Sequence, residues 1–120
     1  MLVKARTELG AARALIADGF AAQSIVHSYY AAFFAAEGAL LVLGETRSKH
    51  AGVISAFGQL LVKPGGVDRA IGSILRQLFE LRNDAVYDAA EVENVVASSA
   101  IADAERFVAA VDAWSARSGK

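Results

Sequence analysis

The sequence predicts an all-α protein, an up-and-down helical bundle of about five helices, and three observations support this fold. The 120-residue chain has one proline, Pro64. Alanine, the strongest helix former, is abundant. No segment shows the strict apolar-polar alternation of a half-buried strand, whereas apolar residues recur at helical spacing throughout. A chain of this size can bury about two-thirds of its unfolded surface. We therefore predict a single domain at residues 1–116 and a polar tail at 117–120.

The first two predicted helices cover residues 2–17 and 20–43. Asp18–Gly19 ends the first helix as a turn, and Gly44 ends the second, because glycine readily adopts the left-handed conformation that closes a helix. The second helix is apolar on nearly every side. This pattern is typical of a central helix enclosed by its neighbours.

The second helix also raises the question of a membrane span, because residues 19–36 carry no formal charge. Polar residues lie within this run, Asp18 and Glu37 close it, and no excess of lysine or arginine flanks it. These features favour a buried core helix and no membrane association. The N-terminal stretch MLVKARTELG lacks the apolar region of a secretory signal, so we expect a cytoplasmic protein.

The remaining helices are predicted at residues 49–62, 67–86 and 91–116. Ser48 can cap the third helix through its side chain, and the segment KPGG at 63–66 is a clear turn. The fourth helix has its core residues at intervals of three and four positions. They are Val67, Ile71, Ile74, Leu78, Leu81 and Ala85.

Composition excludes several classes of protein. The chain has no cysteine and two histidines, so neither a disulfide framework nor a structural zinc site is expected, and we predict no metal site and no cofactor. The net charge of −1 provides no general basic field, so nucleic acid would have to be bound by a local cluster of arginine and lysine. The hydrophobic content of 55% is high for this length and favours a homodimer.

An arginine interrupts an apolar row on the fourth helix. The row reads Leu75, Phe79, Arg82 and Val86. In one interpretation the arginine stem covers apolar surface while its guanidinium reaches water or pairs with Glu80 or Asp84. In the other, Arg82 converges with polar residues of the next row to hold a phosphate. Those residues include Asn83 and Tyr87.

A second candidate cluster lies in TRSKHAG, residues 46–52, where Arg47, Lys49 and His50 stand at the start of the third helix. Backbone N–H groups there favour an anion, although ordinary capping with solvated charge explains the same residues. Near a helix N-terminus, we expect His50 to be neutral at pH 7.

Three further side chains on the second helix are candidates for local roles. His27 is expected to be a hydrogen-bonded core histidine rather than a metal ligand. Tyr29 and Tyr30 are adjacent and point to different faces, so we expect at most one of them to face a site. Tyr30 is included among the candidate binding residues.

Three segments, in order, carry a resemblance to a known family. They are SYYAAFFAAEGALLVLGE, SKHAGVISAFGQLLVK and LFELRNDAVYD, and an acidic-apolar last helix follows them. Together they resemble the HEPN domain, a family of small helical bundles. The similarity is greatest to a branch of short stand-alone proteins with YYAxF, KHxGVIxxFG and LRxxAxY segments, and it covers about residues 2–114.

The resemblance implies a site at the end of the fourth helix. Ribonucleases of this family carry an arginine, four to six intervening residues and a histidine, often with a polar residue directly after the arginine. Arg82 and Asn83 match the first two of these, and Tyr87 stands where the histidine would fall. His27 stands where this branch is expected to have an arginine. The resemblance also implies paired protomers with a shared cleft, and a minimal nucleotidyltransferase partner in toxin–antitoxin systems.

Tyr87 is a poor replacement for a catalytic histidine. An imidazole with a pKa of about 6.5 both accepts and donates protons near pH 7, whereas a phenol with a pKa of about 10 remains protonated. We therefore expect a protein that binds nucleotide or RNA phosphate at a dimer cleft with weak or absent ribonuclease activity. The alternative is a non-catalytic module that docks a minimal nucleotidyltransferase. A purely structural bundle would instead need Arg82 paired and occluded within one protomer.

Overall fold

The computed structural model describes residues 2–87 and 92–118, which form five α-helices and one π-helical turn and contain no strand. The all-α prediction is confirmed. The elements in chain order are α1 (Val3–Ala17), α2 (Ala21–Val42), α3 (His50–Phe57), the π-helical turn (Gly58–Val62), α4 (Arg69–Tyr87) and α5 (Asn94–Ser118).

Helix α2 is the centre of the bundle and packs against α1, α4 and α5. Its alanines allow the neighbouring helices to approach closely, and five of them are fully buried: Ala31, Ala32, Ala35, Ala36 and Ala39. By length and composition α2 could cross a membrane, but 61% of its most apolar window is buried inside the protein. It therefore serves as the core helix that the sequence predicted.

Two glycines end α1 and α2 in the same way. Gly19 and Gly44 have φ angles of 89° and 76°, in the left-handed region that side chains disfavour. Beyond the first, Phe20 N–H donates to the Leu15 carbonyl at 2.8 Å, and beyond the second, Glu45 N–H donates to the Leu40 carbonyl at 2.9 Å. Both ends are Schellman motifs, as expected from glycine directly after the helix.

The start of α3 differs from the prediction. The helix begins at His50, and Lys49 is its N-cap residue with extended backbone and no side-chain capping bond. The assignment of Ser48 as a capping residue was therefore wrong. The third predicted helix continues as far as Val62, but its last five residues form the π-helical turn.

Helix α5 completes the core by packing against α1, α2 and α4. The predicted start at Glu91 lies outside the described residues, and α5 runs from Asn94 to Ser118, two residues into the predicted tail. Trp114 near its end is 6% exposed and packs on Gly66, where an added Cβ would lie 2.8 Å from the indole Nε1. Arg117 also donates to the Gly66 carbonyl at 3.1 Å, so the turn before α4 is held by α5.

Gly72 is a point of close approach between α4 and the π-helical turn, because a Cβ there would collide with Cγ2 of Val62. Valine is stiff about χ1 and cannot move aside easily. We predict that Gly72→Ala lowers the free energy of unfolding by about 1–2 kcal/mol, since overpacking outweighs the gain in helix propensity. Urea denaturation measures the change.

Gly10→Ala is the matched control, because Gly10 lies within α1 and has nothing within 4 Å of an added Cβ. It should raise the free energy of unfolding by up to about 1 kcal/mol. Equal stabilisation by both substitutions would show that α4 and the π-helical turn are less closely packed than described.

Candidate functional site

Arg82 extends from α4 to α2 and is held by uncharged groups. Its Nη1 donates to Oδ1 of Asn83 at 3.0 Å, and its Nη2 donates to the hydroxyl of Tyr30 at 3.2 Å. The guanidinium carbon lies 5.7 Å from the centroid of the Tyr30 ring, within range of a cation–π interaction. These contacts fix the orientation of the guanidinium without neutralising its charge.

The guanidinium retains donors that none of the described residues uses. Its Nε has no acceptor among residues 2–87 and 92–118 but is buried, so the donors open to a ligand are the remaining N–H groups of Nη1 and Nη2. Within the same residues no carboxylate lies within ion-pair distance, so the pairing with Glu80 or Asp84 that one of the two interpretations allowed is not formed. An oriented cation with open donors is suited to an oxyanion.

His50, the first residue of α3, lies next to Arg82 within a group of aromatic rings. The imidazole centroid is 4.7 Å from that of Phe33 and 5.8 Å from that of Phe79, onto which it stacks. Burial lowers the pKa of His50 below its usual value, the Arg82 charge lowers it further, and Glu37 acts in the opposite direction. The prediction of a neutral imidazole is confirmed in direction, with burial rather than the helix N-terminus as its main cause.

The adjacent tyrosines of α2 have different surroundings, which agrees with the expectation that at most one of them faces a site. Tyr29 is fully buried, and its hydroxyl lies 2.6 Å from Nδ1 of His50. Tyr30 contacts Arg82, and the two tyrosine centroids are 5.3 Å apart. Burial raises the pKa of Tyr29 far above its usual value, and the neighbouring Tyr30 contributes to this increase. We call Tyr29, Tyr30, His50, Arg82 and Asn83 the arginine–histidine cluster.

The other candidate residues either make local contacts of their own or are exposed. Arg47 donates to Glu45 at 2.8 Å and to the Thr46 carbonyl at 2.7 Å. Lys49 is exposed, and Tyr87, the last residue of α4, is 79% exposed. In the described part of the chain no hydrogen bond or ion pair joins these three side chains to the cluster.

Tyr29, Phe33 and Phe79 form an aromatic wall beside His50. This wall was not predicted from the sequence, although the sequence contains a signal for it. Tyr29 and Phe33 are four residues apart on α2, so they share one helix face. Phe79 completes the wall from α4, with its centroid 5.5 Å from that of Tyr29. A helical face of aromatic residues that begins with tyrosine could have been recognised as more than core packing.

His27 has a hydrogen-bond partner, as predicted, but it is not the core residue that was expected. Its Nδ1 lies 2.5 Å from Oε1 of Glu8, which joins α2 to α1, and its side chain is 38% exposed. Among residues 2–87 and 92–118 no three histidine, cysteine or carboxylate side chains are grouped closely enough to hold a metal ion.

The fold and the cluster together define an all-helical bundle protein with a hydrogen-bonded group of polar and aromatic side chains between α2, α3 and α4. The sequence matches the model of the HEPN domain over residues 1–114. The chain belongs to the HEPN domain family.

Two relatives in other organisms cover most of the chain. The first, from Methanocaldococcus jannaschii, bears the name "Putative toxin" and is 34% identical over 104 residues, which cover 87% of this chain and 78% of the relative. The second is a UPF0332 protein of Thermotoga maritima, 32% identical over 110 residues, which cover 91% of this chain and 83% of the relative.

The lowered pKa of His50 predicts how stability depends on pH. The unfolded chain, with a histidine pKa of about 6.5, binds a proton before the folded chain does, so the stability contributed by a neutral His50 is complete above about pH 6.5 and is lost as pH falls below it. The free energy of unfolding of the unmodified protein should fall between about pH 7.5 and pH 5.5, and we expect a smaller fall in His50→Gln. Urea titrations at both pH values measure this.

His27→Gln is the control for that experiment, because His27 lies outside the arginine–histidine cluster and binds Glu8. The His50 contribution should persist in this variant. If His50→Gln retains the full pH dependence of the unmodified protein, the folded imidazole is not held in its neutral form.

Proposed function

We propose that this protein is the toxin-like component of a toxin–antitoxin or nucleotidyltransferase-associated system, and that it binds the phosphate of a nucleotide or RNA at the arginine–histidine cluster. The observation that carries the proposal is the state of Arg82. Its guanidinium is oriented by Tyr30 and Asn83, and no carboxylate of the described residues neutralises it. The toxin name of one relative supports the class of system.

A phosphate suits Arg82 better than water does. Charge-assisted hydrogen bonds from a guanidinium to phosphate oxygens are about twice as strong as neutral ones, and a preorganised guanidinium loses less entropy on binding. Aromatic rings beside the site reduce its exposure to water, which strengthens the attraction further. A purely structural role would call for an acid paired with Arg82, and none of the described residues supplies one.

Catalysis in this proposal is weak or absent. Cleavage of RNA without a metal needs a group that accepts the proton of the 2′-hydroxyl and another that protonates the leaving oxygen. Arg82 can stabilise the charge on phosphorus, and the exposed Tyr87 can donate a proton but hardly accept one at pH 7. His50 lies close enough to Arg82 to be considered as a base.

A homodimer remains part of the proposal, with two arginine–histidine clusters facing one cleft. The apolar row that Arg82 interrupts offers only part of its surface to a second copy, because Leu75 is 1% exposed and Phe79 packs within its own protomer. The end of α4 offers a different surface, because Val86 there is an apolar residue that is 46% exposed. Light scattering on the purified protein tests the dimer directly.

The alternative function is a docking module for a minimal nucleotidyltransferase. The exposure of Val86 and Tyr87 at the end of α4, 46% and 79%, favours this alternative, because a tyrosine beside an apolar residue is a common anchor in protein interfaces. Binding of phosphate by Arg82 is compatible with both functions and does not distinguish them, whereas detectable cleavage of RNA that depends on Arg82 would exclude the non-catalytic module. A cytoplasmic location stays a prediction.

The anion site is tested by thermal stability in the presence of phosphate. We expect phosphate to raise the melting temperature by mass action, and Arg82→Ala to remove most of that increase. Arg106→Ala is the control, because Arg106 is an exposed arginine of α5 that pairs with Asp103. An increase of the same size in the Arg82→Ala protein would place the anion elsewhere.

The chemistry is tested at Tyr87, whose exposure at the end of α4 makes substitution compatible with folding. We predict that Tyr87→His raises cleavage of RNA by roughly a hundredfold or more over a weak or undetectable starting rate, since it restores a group that titrates near pH 7. Tyr87→Phe should leave phosphate binding nearly unchanged.

The control for this gain is the double variant Tyr87→His with Arg82→Ala, which should lose the restored cleavage. Rapid cleavage by the unmodified protein that disappears in Tyr87→Phe would contradict the prediction and identify Tyr87 as an activated catalytic group.

A further inference from the structure

The hydroxyl of Tyr29 needs an acceptor for its proton. Tyr29 is fully buried, and a buried hydroxyl without a hydrogen-bond acceptor is destabilising. Among the described residues the hydroxyl has one hydrogen-bond partner, Nδ1 of His50 at 2.6 Å. The position of that proton decides what His50 can do.

Two arrangements of the pair can be compared. If Nδ1 carried a proton it would donate to the Tyr29 oxygen, and the phenolic proton would then lack an acceptor among the described residues. If Tyr29 donates to Nδ1 instead, both groups are satisfied. A neutral imidazole that accepts at Nδ1 carries its proton at Nε2.

We propose that Tyr29 is a positioning residue that holds His50 in the tautomer protonated at Nε2, so that His50 meets a bound phosphate as a neutral hydrogen-bond donor rather than as a proton acceptor. This inference rests on the proposed function for its ligand, a phosphate, but the tautomer itself is independent of any ligand. Through the tautomer of His50, Tyr29 determines whether the site only binds a phosphate or also cleaves RNA.

The charges around His50 agree with a neutral donor. Arg82 reaches the cluster from α4 and disfavours a second positive charge, while Glu37 on α2 favours one. Lys49 precedes His50 in its own segment and is exposed. Tyr29 and Tyr30 are the other titratable groups of α2 that face the imidazole. A neutral N–H can join Arg82 in binding a phosphate without repelling it.

In this arrangement His50 cannot act as a catalytic base. A base needs a lone pair directed at the substrate, but the lone pair of Nδ1 is occupied by Tyr29 and Nε2 carries a proton. The imidazole is therefore available to a phosphate oxygen and unavailable to the 2′-hydroxyl proton. This would explain weak cleavage even though a histidine lies beside Arg82.

Nuclear magnetic resonance of the ¹⁵N-labelled full-length protein tests the tautomer. Above the pKa of His50, the unmodified protein should show Nε2 in the protonated range of chemical shift and Nδ1 in the unprotonated range. Tyr29→Phe keeps the ring and removes the donor, so it should show a mixture of both tautomers and a higher pKa for His50. A protonated Nδ1 in the unmodified protein overturns the inference without any variant.

The donor role is tested with inorganic phosphate at about pH 8, where a histidine with a pKa near 6.5 is neutral. Glutamine can place an amide N–H near the position of Nε2 but cannot act as a base, so His50→Gln should bind phosphate within about twofold of the unmodified protein. His50→Ala should bind roughly threefold to tenfold more weakly, the effect of one hydrogen bond.

The outcomes of these experiments are separable. Equal weakening in His50→Gln and His50→Ala would overturn the donor role while Arg82-dependent phosphate binding stands. If the unmodified protein does not bind phosphate, the proposed function and the donor role are both overturned, whereas the tautomer is decided by the resonance measurement alone. Faster RNA cleavage by Tyr29→Phe would support the inference, because it would release a proton acceptor.

Discussion

The close packing of α2 against α1, α4 and α5 is the contact on which the other features of this protein depend. Its small buried residues bring α4 near enough for Arg82 to reach Tyr30 across the helix–helix contact. The same packing buries Tyr29 and leaves its hydroxyl facing His50. Bulkier residues in place of the α2 alanines would separate the helices and the polar groups between them. The core and the candidate site are therefore products of one arrangement.

The electrostatics of the cluster follow from the absence of an acid beside Arg82 among the described residues. A phenol, an amide and an aromatic face do not neutralise the cation, and its charge adds to burial in lowering the pKa of His50, while Glu37 acts in the opposite direction. Several exposed arginines among the described residues are paired with a carboxylate instead, as Arg13 is with Glu105. A paired arginine such as Arg13 helps to hold helices together, whereas the charge of Arg82 remains available to a ligand.

The parts that the sequence predicted are those determined over short distances along the chain. Helices, their core faces and the glycine ends of α1 and α2 depend on residues within one or two turns, and Arg82 was conspicuous because it interrupts an apolar row. The bond between Tyr29 and His50 joins residues 21 positions apart and depends on how α3 docks on α2. The missing cap at Ser48 likewise depends on where the chain enters α3. Such features require the tertiary structure.

Tryptophan fluorescence and tyrosine absorbance report on two separate regions of this protein. Trp114 is the one tryptophan in the chain, and it packs on Gly66 just before α4. Helix α4 then extends roughly 20 Å from its first residue to Arg82, so indole emission reports the docking of α5 and not the site. Two of the three tyrosines, Tyr29 and Tyr30, lie in the arginine–histidine cluster. Tyrosine absorbance therefore follows events at the cluster while tryptophan fluorescence follows the far end of the bundle.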